Sequence, residues 1–382
     1  MNAILSMPLK EVAEPLTVQD KFKITRHELS RSLIERQSEI DLALTCLLAN
    51  EHLLLLGPPG TGKSLLVDSL MKWMHGSKFS CLLNRFTLVE ELVGMFSLSG
   101  LKSDRFVRVT KNKLPEAQFA FLDEVFLGSP AILNFLLKIL NEGTFDCGDG
   151  VHRRVPLELC VAASNHFPHG DDAKSLAALI DRFLVRKNVA PIHTKAGRRK
   201  LLWANSRVEL STTLSHPELE AAKLDVQCLE WTKAAVESFE LILHDLVKDG
   251  VIIGDRRQFK ATGVVRAYAW LLGAKEVLPE HLEVLMHVLW TEPLKEPPKV
   301  KAAILKHASP ESMKAAALLY EANEVMEGCN AADLAQAATA SAKLSEVQKK
   351  LSAMKKSESV TEALHFVKDQ INQLRQKTLD SI

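Results

Sequence analysis

No stretch of this chain is apolar for long enough to cross a membrane. Its first residues, Met1 to Val18, carry Pro8, Lys10, Glu11 and Glu14 where a secretory leader needs an unbroken apolar core. Charge of one sign is also missing: 48 Lys and Arg balance 47 Asp and Glu, which leaves no global basic surface for a nucleic acid. The six cysteines, Cys46, Cys81, Cys147, Cys160, Cys228 and Cys329, show neither C-x-x-C spacing nor the histidine pairing of a zinc site. They read as free thiols in a reducing compartment, so the expectation is a soluble cytoplasmic protein. Low-complexity segments and internal repeats are absent apart from an Ala/Lys/Ser-rich C-terminal region. At 382 residues, with apolar content of 47% and charge of 25%, the chain suits two or three globular domains.

What is present begins at Gly57-Pro58-Pro59-Gly60-Thr61-Gly62-Lys63-Ser64, which fits G-x-x-x-x-G-K-[ST]. The apolar run Leu53 to Leu56 before it predicts a buried strand, and Leu65 to Met74 after it an amphipathic helix. A phosphate-binding loop requires this setting. Glycines let backbone N–H groups turn toward a polyphosphate, and the positive end of the helix dipole faces the same point. Lys63 is placed to reach the β- and γ-phosphates, and Ser64 to give its hydroxyl to Mg²⁺.

About 60 residues further on, Phe119-Ala120-Phe121-Leu122 ends in Asp123-Glu124, and ligand sites lie beyond the carboxyl ends of such buried parallel strands. Asp123 would hold the Mg²⁺ shell and Glu124 would polarise an attacking water. A third apolar run, Leu157 to Ala163, ends in Ser164-Asn165, whose amide could hydrogen-bond the water or the γ-phosphate; alone, such an Asn is usually a turn residue. Leu33, Ile34 and Arg36, ahead of the first strand, could contact a purine base, and are equally readable as helix-turn core and a solvated cation. Phe96 to Leu114 and Phe145 to Val155 read as two hairpin-like excursions.

The order of the phosphate loop, Leu114-Pro115-Glu116-Ala117, Phe121-Leu122-Asp123-Glu124, Ala162-Ala163-Ser164-Asn165 and Asp181-Arg182-Phe183 resembles the MoxR branch of the AAA+ ATPases, most closely the RavA group. The likeness runs from about Glu28 to Trp290. It implies an α/β fold, with a parallel sheet flanked by helices, an all-α lid and a helical C-terminal tail. It also implies ATP and Mg²⁺ as cofactors, and the two excursions as a helix-2 insert and a pre-sensor-1 hairpin. Asn165 is then sensor 1, Arg182 the arginine finger acting on a neighbouring subunit with Arg186 as fallback, and Arg256 sensor 2 with Arg257 close behind. The implied domains are a leader over 1–26, the ATPase core over 27–193, the lid over 194–295 and a helical hairpin or coiled-coil tail over 296–382.

The resemblance further implies a homo-oligomer, a hexameric ring, that remodels or activates a partner bearing a von Willebrand A domain. Metal insertion and complex maturation are the forms such work takes. RavA proteins carry a β-rich module in their helical stalk, and no length remains here for one. The alternative is a nucleic-acid motor or restriction-type NTPase. For that reading Lys102, Arg105, Arg108, Lys111, Arg153 and Arg154 on the excursions would touch phosphates, although such charges are more often a solvated face.

Overall fold

The protein is described by a computed structural model over residues 16–147, 149–168, 170–203, 208–308, 311–327, 329, 334–354 and 358–379. Two helices, α1 (Val18–Ser32) and α2 (Gln37–Ala49), precede β1 (Leu53–Leu56), and α3 (Lys63–Met74) and β2 (Lys78–Leu82) follow it. The short helices α4 (Val89–Val93) and α5 (Leu98–Leu101) lead to β3 (Phe119–Asp123) and α6 (Pro130–Glu142). Next come a small ribbon of β4 (Thr144–Asp146) and β5 (His152–Arg154), then β6 (Leu159–Ser164), α7 (Gly170–Arg182) and β7 (Val185–Asn188).

The five-stranded sheet runs in the order β2-β3-β6-β1-β7, and the β2–β3, β3–β6 and β1–β6 pairings are parallel. All residues of β1 and β6 are buried, as are the first four of β3. Continuous apolar runs are what strands covered on both faces require. The order matters for chemistry: β6 lies between β1 and β3, so the ends of these three strands are neighbours. The first excursion closes by an antiparallel bridge between Phe96 and Arg108, with α5 filling its loop. The second is the β4–β5 ribbon.

The chain divides into two compact units. One holds the described residues up to Phe183, with Lys187–Cys228 and Trp270–Gly273; the other holds Leu184–Arg186, Leu229–Ala269 and the described residues from Ala274 onward. Within the first, α1 begins at Val18. Thr17 caps it through the N–H of Asp20, and Phe22 is fully buried edge-on to Trp73 (4.9 Å) and Trp270 (5.3 Å). Helices α8 (Lys195–Trp203) and α9 (His216–Cys228) belong to the same unit. Lys223 Nζ clasps α9 to the entrance of β6, reaching Glu158 at 2.6 Å and Glu220 at 3.0 Å.

The second unit contains α10 (Lys233–Lys248), α11 (Asp255–Leu271) and α12 (Glu296–His307), then α13 (Glu311–Glu327), α14 (Leu334–Ser352) and α15 (Glu358–Leu379). Pro297 and Pro298 stand in the first turn of α12, where a helix has no N–H partner to lose. Leu344, Val347 and Leu351 of α14 pack with Val360, Val367, Ile371 and Leu374 of α15. Ala315 and Ala322 of α13 join the same core, so three helices share it, one more than a helical hairpin contains.

Candidate nucleotide site

Gly57 leaves β1 wedged between its neighbours: its N–H donates to Ser164 O (3.1 Å), and Val189 N–H donates to Leu56 O. Its φ is +152°, and a Cβ there would come within 2.2 Å of the Val189 carbonyl oxygen, so only glycine fits. Pro58, Pro59 and Gly60 carry the turn outward, exposed. Thr61 folds back and donates its hydroxyl to Pro58 O (3.1 Å). Gly62, at φ +79°, starts α3 with no side-chain cap and no acidic residue in the first turn. The N–H groups there and the helix dipole are left for an anion.

Lys63 is largely buried, and its ammonium donates to Gly57 O (2.7 Å) and Pro58 O (3.2 Å). Burial depresses its pKa, while the Asp123 and Glu124 carboxylates pull it back up. This cation is held by two carbonyls of the loop, contacts that phosphate oxygens can replace. Ser64, next to it, is exposed.

At the end of β3, Asp123 Oδ1 accepts the N–H of Glu124 (3.1 Å). Glu124 itself has φ +51° and ψ +45°, a left-handed conformation that a residue with a side chain adopts at a cost of order 1–3 kcal/mol. One carboxylate oxygen accepts from the Asn165 side-chain amide, and the other from the Asn165 N–H and the Ser164 hydroxyl, each at 3.4 Å. Residues from adjacent strand ends therefore meet beside the phosphate loop. Sequence reasoning named Asn165 but passed over Ser164, whose single buried O–H has Glu124 and the nearer His166 O (2.7 Å) as alternative acceptors. A continuous apolar run gives no sign of whether the hydroxyl at its end turns inward.

The donors and acceptors fit a Mg²⁺–nucleoside triphosphate. Uncapped N–H groups and an ammonium suit phosphates, and the Ser64 hydroxyl with the Asp123 carboxylate offers the hard oxygen ligands that Mg²⁺ takes. On the other side of the loop, Arg36 donates to Thr61 O (3.0 Å), Glu35 O (2.9 Å) and Ala190 O (2.9 Å). Leu33 is buried and Ile34 half-buried beside it.

The arginines separate by environment. Arg182, at the end of α7, has Nε and Nη1 buried and without a hydrogen-bond partner among the described residues. Arg186 is fully buried over the Trp290 ring, with its guanidinium on Trp290 O, and Arg257 donates to the same carbonyl (2.8 Å) and to Thr291 (3.2 Å). Arg256 is half-exposed and makes no hydrogen bond or ion pair among the described residues.

Against known protein families, residues 20–228 match the MoxR domain found in MoxR-vWA-beta-propeller ternary systems. The chain belongs to the MoxR family. Residues 236–304 match the AAA lid domain, which places this MoxR chain among the AAA+ ATPases. Two uncharacterised proteins of Methanocaldococcus jannaschii, MJ0079 and MJ0812, are each 37% identical to it. The alignments span 281 and 274 residues, or 72% and 70% of this chain and 71% of each relative. A structural protein of Acidianus two-tailed virus, ORF618, is 25% identical over 58% of the chain and 35% of its own length. Among solved structures, a candidate ATPase from Cytophaga hutchinsonii superposes with a TM-score of 0.61, covering 76% of this chain and 94% of that one. At 18% identity that likeness speaks for the fold alone. The α/β AAA+ architecture expected from the motifs is thus the observed one. Among the described residues, no helix is long and apolar enough to cross a membrane.

Proposed function

We propose that this MoxR chain hydrolyses ATP at the site just described, in a cytoplasmic ring of identical copies, and uses the cycle to remodel or activate a partner protein. The observation that carries the reading is the pairing of Glu124 with Asn165 at adjacent strand ends beside Lys63. Mg²⁺, when bound, supplies charge neutralisation of the transferring phosphoryl group. Lys63 and the loop N–H groups hold the phosphates, and Ser64 and Asp123 hold the metal. Glu124 orients and polarises the water, and Asn165 passes the state of the γ-phosphate to Glu124. Leu33 and Ile34 flank the base, with Arg36 bracing the turn that carries them.

Arg182 acts on the neighbouring copy's phosphate. Its Nε and Nη1 make no hydrogen bond among the described residues, which supports this role, because an uncompensated guanidinium is stabilised by an arriving anion. Arg256 is sensor 2, a role supported by its side chain making no hydrogen bond or ion pair among the described residues, whereas Arg186 and Arg257 are occupied by Trp290 O. A partner with a von Willebrand A domain, alongside a β-propeller protein, is the reading that the matched family's description favours. Within the family we place the chain beside the RavA group, because Gly254-Asp255-Arg256 stands where many MoxR proteins have Ser-Pro-Arg and resembles the RavA variant. The work done is chaperone-like, as metal insertion or complex maturation.

The nucleic-acid alternative is weakened at two of its six cations. Arg108 is spent on Gly94 O (2.8 Å) and the Phe96 ring (4.0 Å), and Arg153 on Asp149 (2.5 Å). The test is capture with Glu124→Gln protein held in ATP, followed by mass spectrometry. Recovery of a von Willebrand A protein or a metalloenzyme supports the reading. Recovery chiefly of nuclease-resistant nucleic acid that high salt releases would overturn it.

A further inference from the structure

Among the described residues, helix α8 is exposed along most of its length. Of its nine residues only Gly197 is buried, while Leu201, Leu202 and Trp203 are 60%, 68% and 82% exposed. A nine-residue helix is marginal in water unless an apolar face is covered. Its first turn is nevertheless fixed. Glu35, in the left-handed conformation, accepts the N–H groups of His193 (3.0 Å) and Thr194 (3.2 Å), and Thr194 Oγ1 accepts the N–H of Gly197 (2.9 Å). A Cβ at Gly197 would meet Glu35 Oε1 at 2.1 Å, so the helix sits tightly on this turn. The next residue, Arg36, holds Thr61 of the phosphate loop. Beyond this anchor, Lys195, Arg198, Arg199 and Lys200 make no ion pair among the described residues.

A complementary face exists on the second unit. Val236, Glu237, Glu240, Leu241, His244 and Val247 lie at helical spacing along one exposed side of α10. Neither Glu237 nor Glu240 is paired among the described residues. Lys233 and Lys248 stand at the two ends of that helix, leaving its middle turns acidic and apolar.

We propose that α8 of one copy docks on the exposed face of α10 of a second copy, Arg198, Arg199 and Lys200 meeting Glu237 and Glu240 around the Leu201–Trp203 tip. The two faces differ, so the contact is head-to-tail, the kind that repeats around a ring when its rotation closes. It rests on the ring reading above and names a surface that reading leaves open. A lipid surface fits α8 less well, because the cations beside its tip find their complement in Glu237 and Glu240 of α10. Because α8 and Thr61 share the Glu35–Arg36 turn, the contact also lies one residue from the brace of the phosphate loop.

The test mixes equal amounts of ordinary and nitrogen-15-labelled chain with ATP and treats them with a carbodiimide, which joins amines to carboxylates. Links from Lys195 or Lys200 to Glu237 or Glu240 should appear as mixed-isotope peptides. Arg198→Glu with Arg199→Glu should weaken assembly about tenfold or more, and Glu237→Lys with Glu240→Lys in the same chain should restore it. A ring that forms with these links only inside single chains, or that is indifferent to the charge reversal, overturns this contact and leaves the ring reading standing. A chain that stays monomeric with ATP overturns the ring reading, and the contact falls with it. Circular dichroism of the reversed variant separates lost docking from lost folding.

Discussion

Glu124 is held in a left-handed backbone conformation and bound through both carboxylate oxygens by Ser164 and Asn165. A group constrained in this way is positioned before any water arrives, which is how a general base or water-orienting residue lowers a barrier. Asn165→Ala should therefore lower kcat on the order of 10²-fold while nucleotide affinity stays within a few-fold, since Lys63 and the loop N–H groups are untouched. Stopped-flow turnover together with a fluorescent-nucleotide titration checks both halves. The residues of this site were legible in the chain because their motifs are local: the phosphate loop spans eight positions, and Asp123-Glu124 closes a single apolar run. The brace on the loop's far side was not legible. Glu35 meets Thr194 and Arg36 meets Ala190 across more than 150 residues of chain, and nothing in either segment marks the pairing.

At the scale of elements, burial of both faces makes β1, β3 and β6 continuous apolar runs, and that is why their positions could be read directly. Helix α1 was harder, because its outer turns are polar and Phe22 alone anchors its start to Trp73 and Trp270, distant in sequence. In the second unit, α10 and α12 are clasped by Asp245, which accepts from Lys306 and from the His307 ring, each at 2.6 Å. These bonds, chiefly the one from Lys306, hold the Asp245 carboxyl down at about 2. A depressed carboxylate contributes its stability above the unfolded value of about 3.9 and loses it as pH falls through the folded value. The difference in urea midpoint between wild type and Asp245→Asn should be steady above about pH 4 and close by about pH 2. A difference that persists unchanged at the acid end would show that the clasp is not what the substitution removes.

For the whole molecule, the parallel sheet gathers the chemistry at the ends of its central strands, and three further features ask for company. Arg182 has buried nitrogens with no partner among the described residues, α8 is bare beyond its first turn, and α10 presents a half-apolar acidic face. All three are accounted for if the working form is an assembly in which one copy completes the site of the next. The most direct measurement is ATP turnover per chain against protein concentration, for wild type and for Arg182→Ala. If sites are completed between copies, turnover per chain rises with concentration to a plateau. Arg182→Ala then stays low at every concentration, and its added copies depress a wild-type mixture more than in proportion. Turnover per chain that is constant from the most dilute sample upward, or that survives the loss of Arg182, would contradict the account.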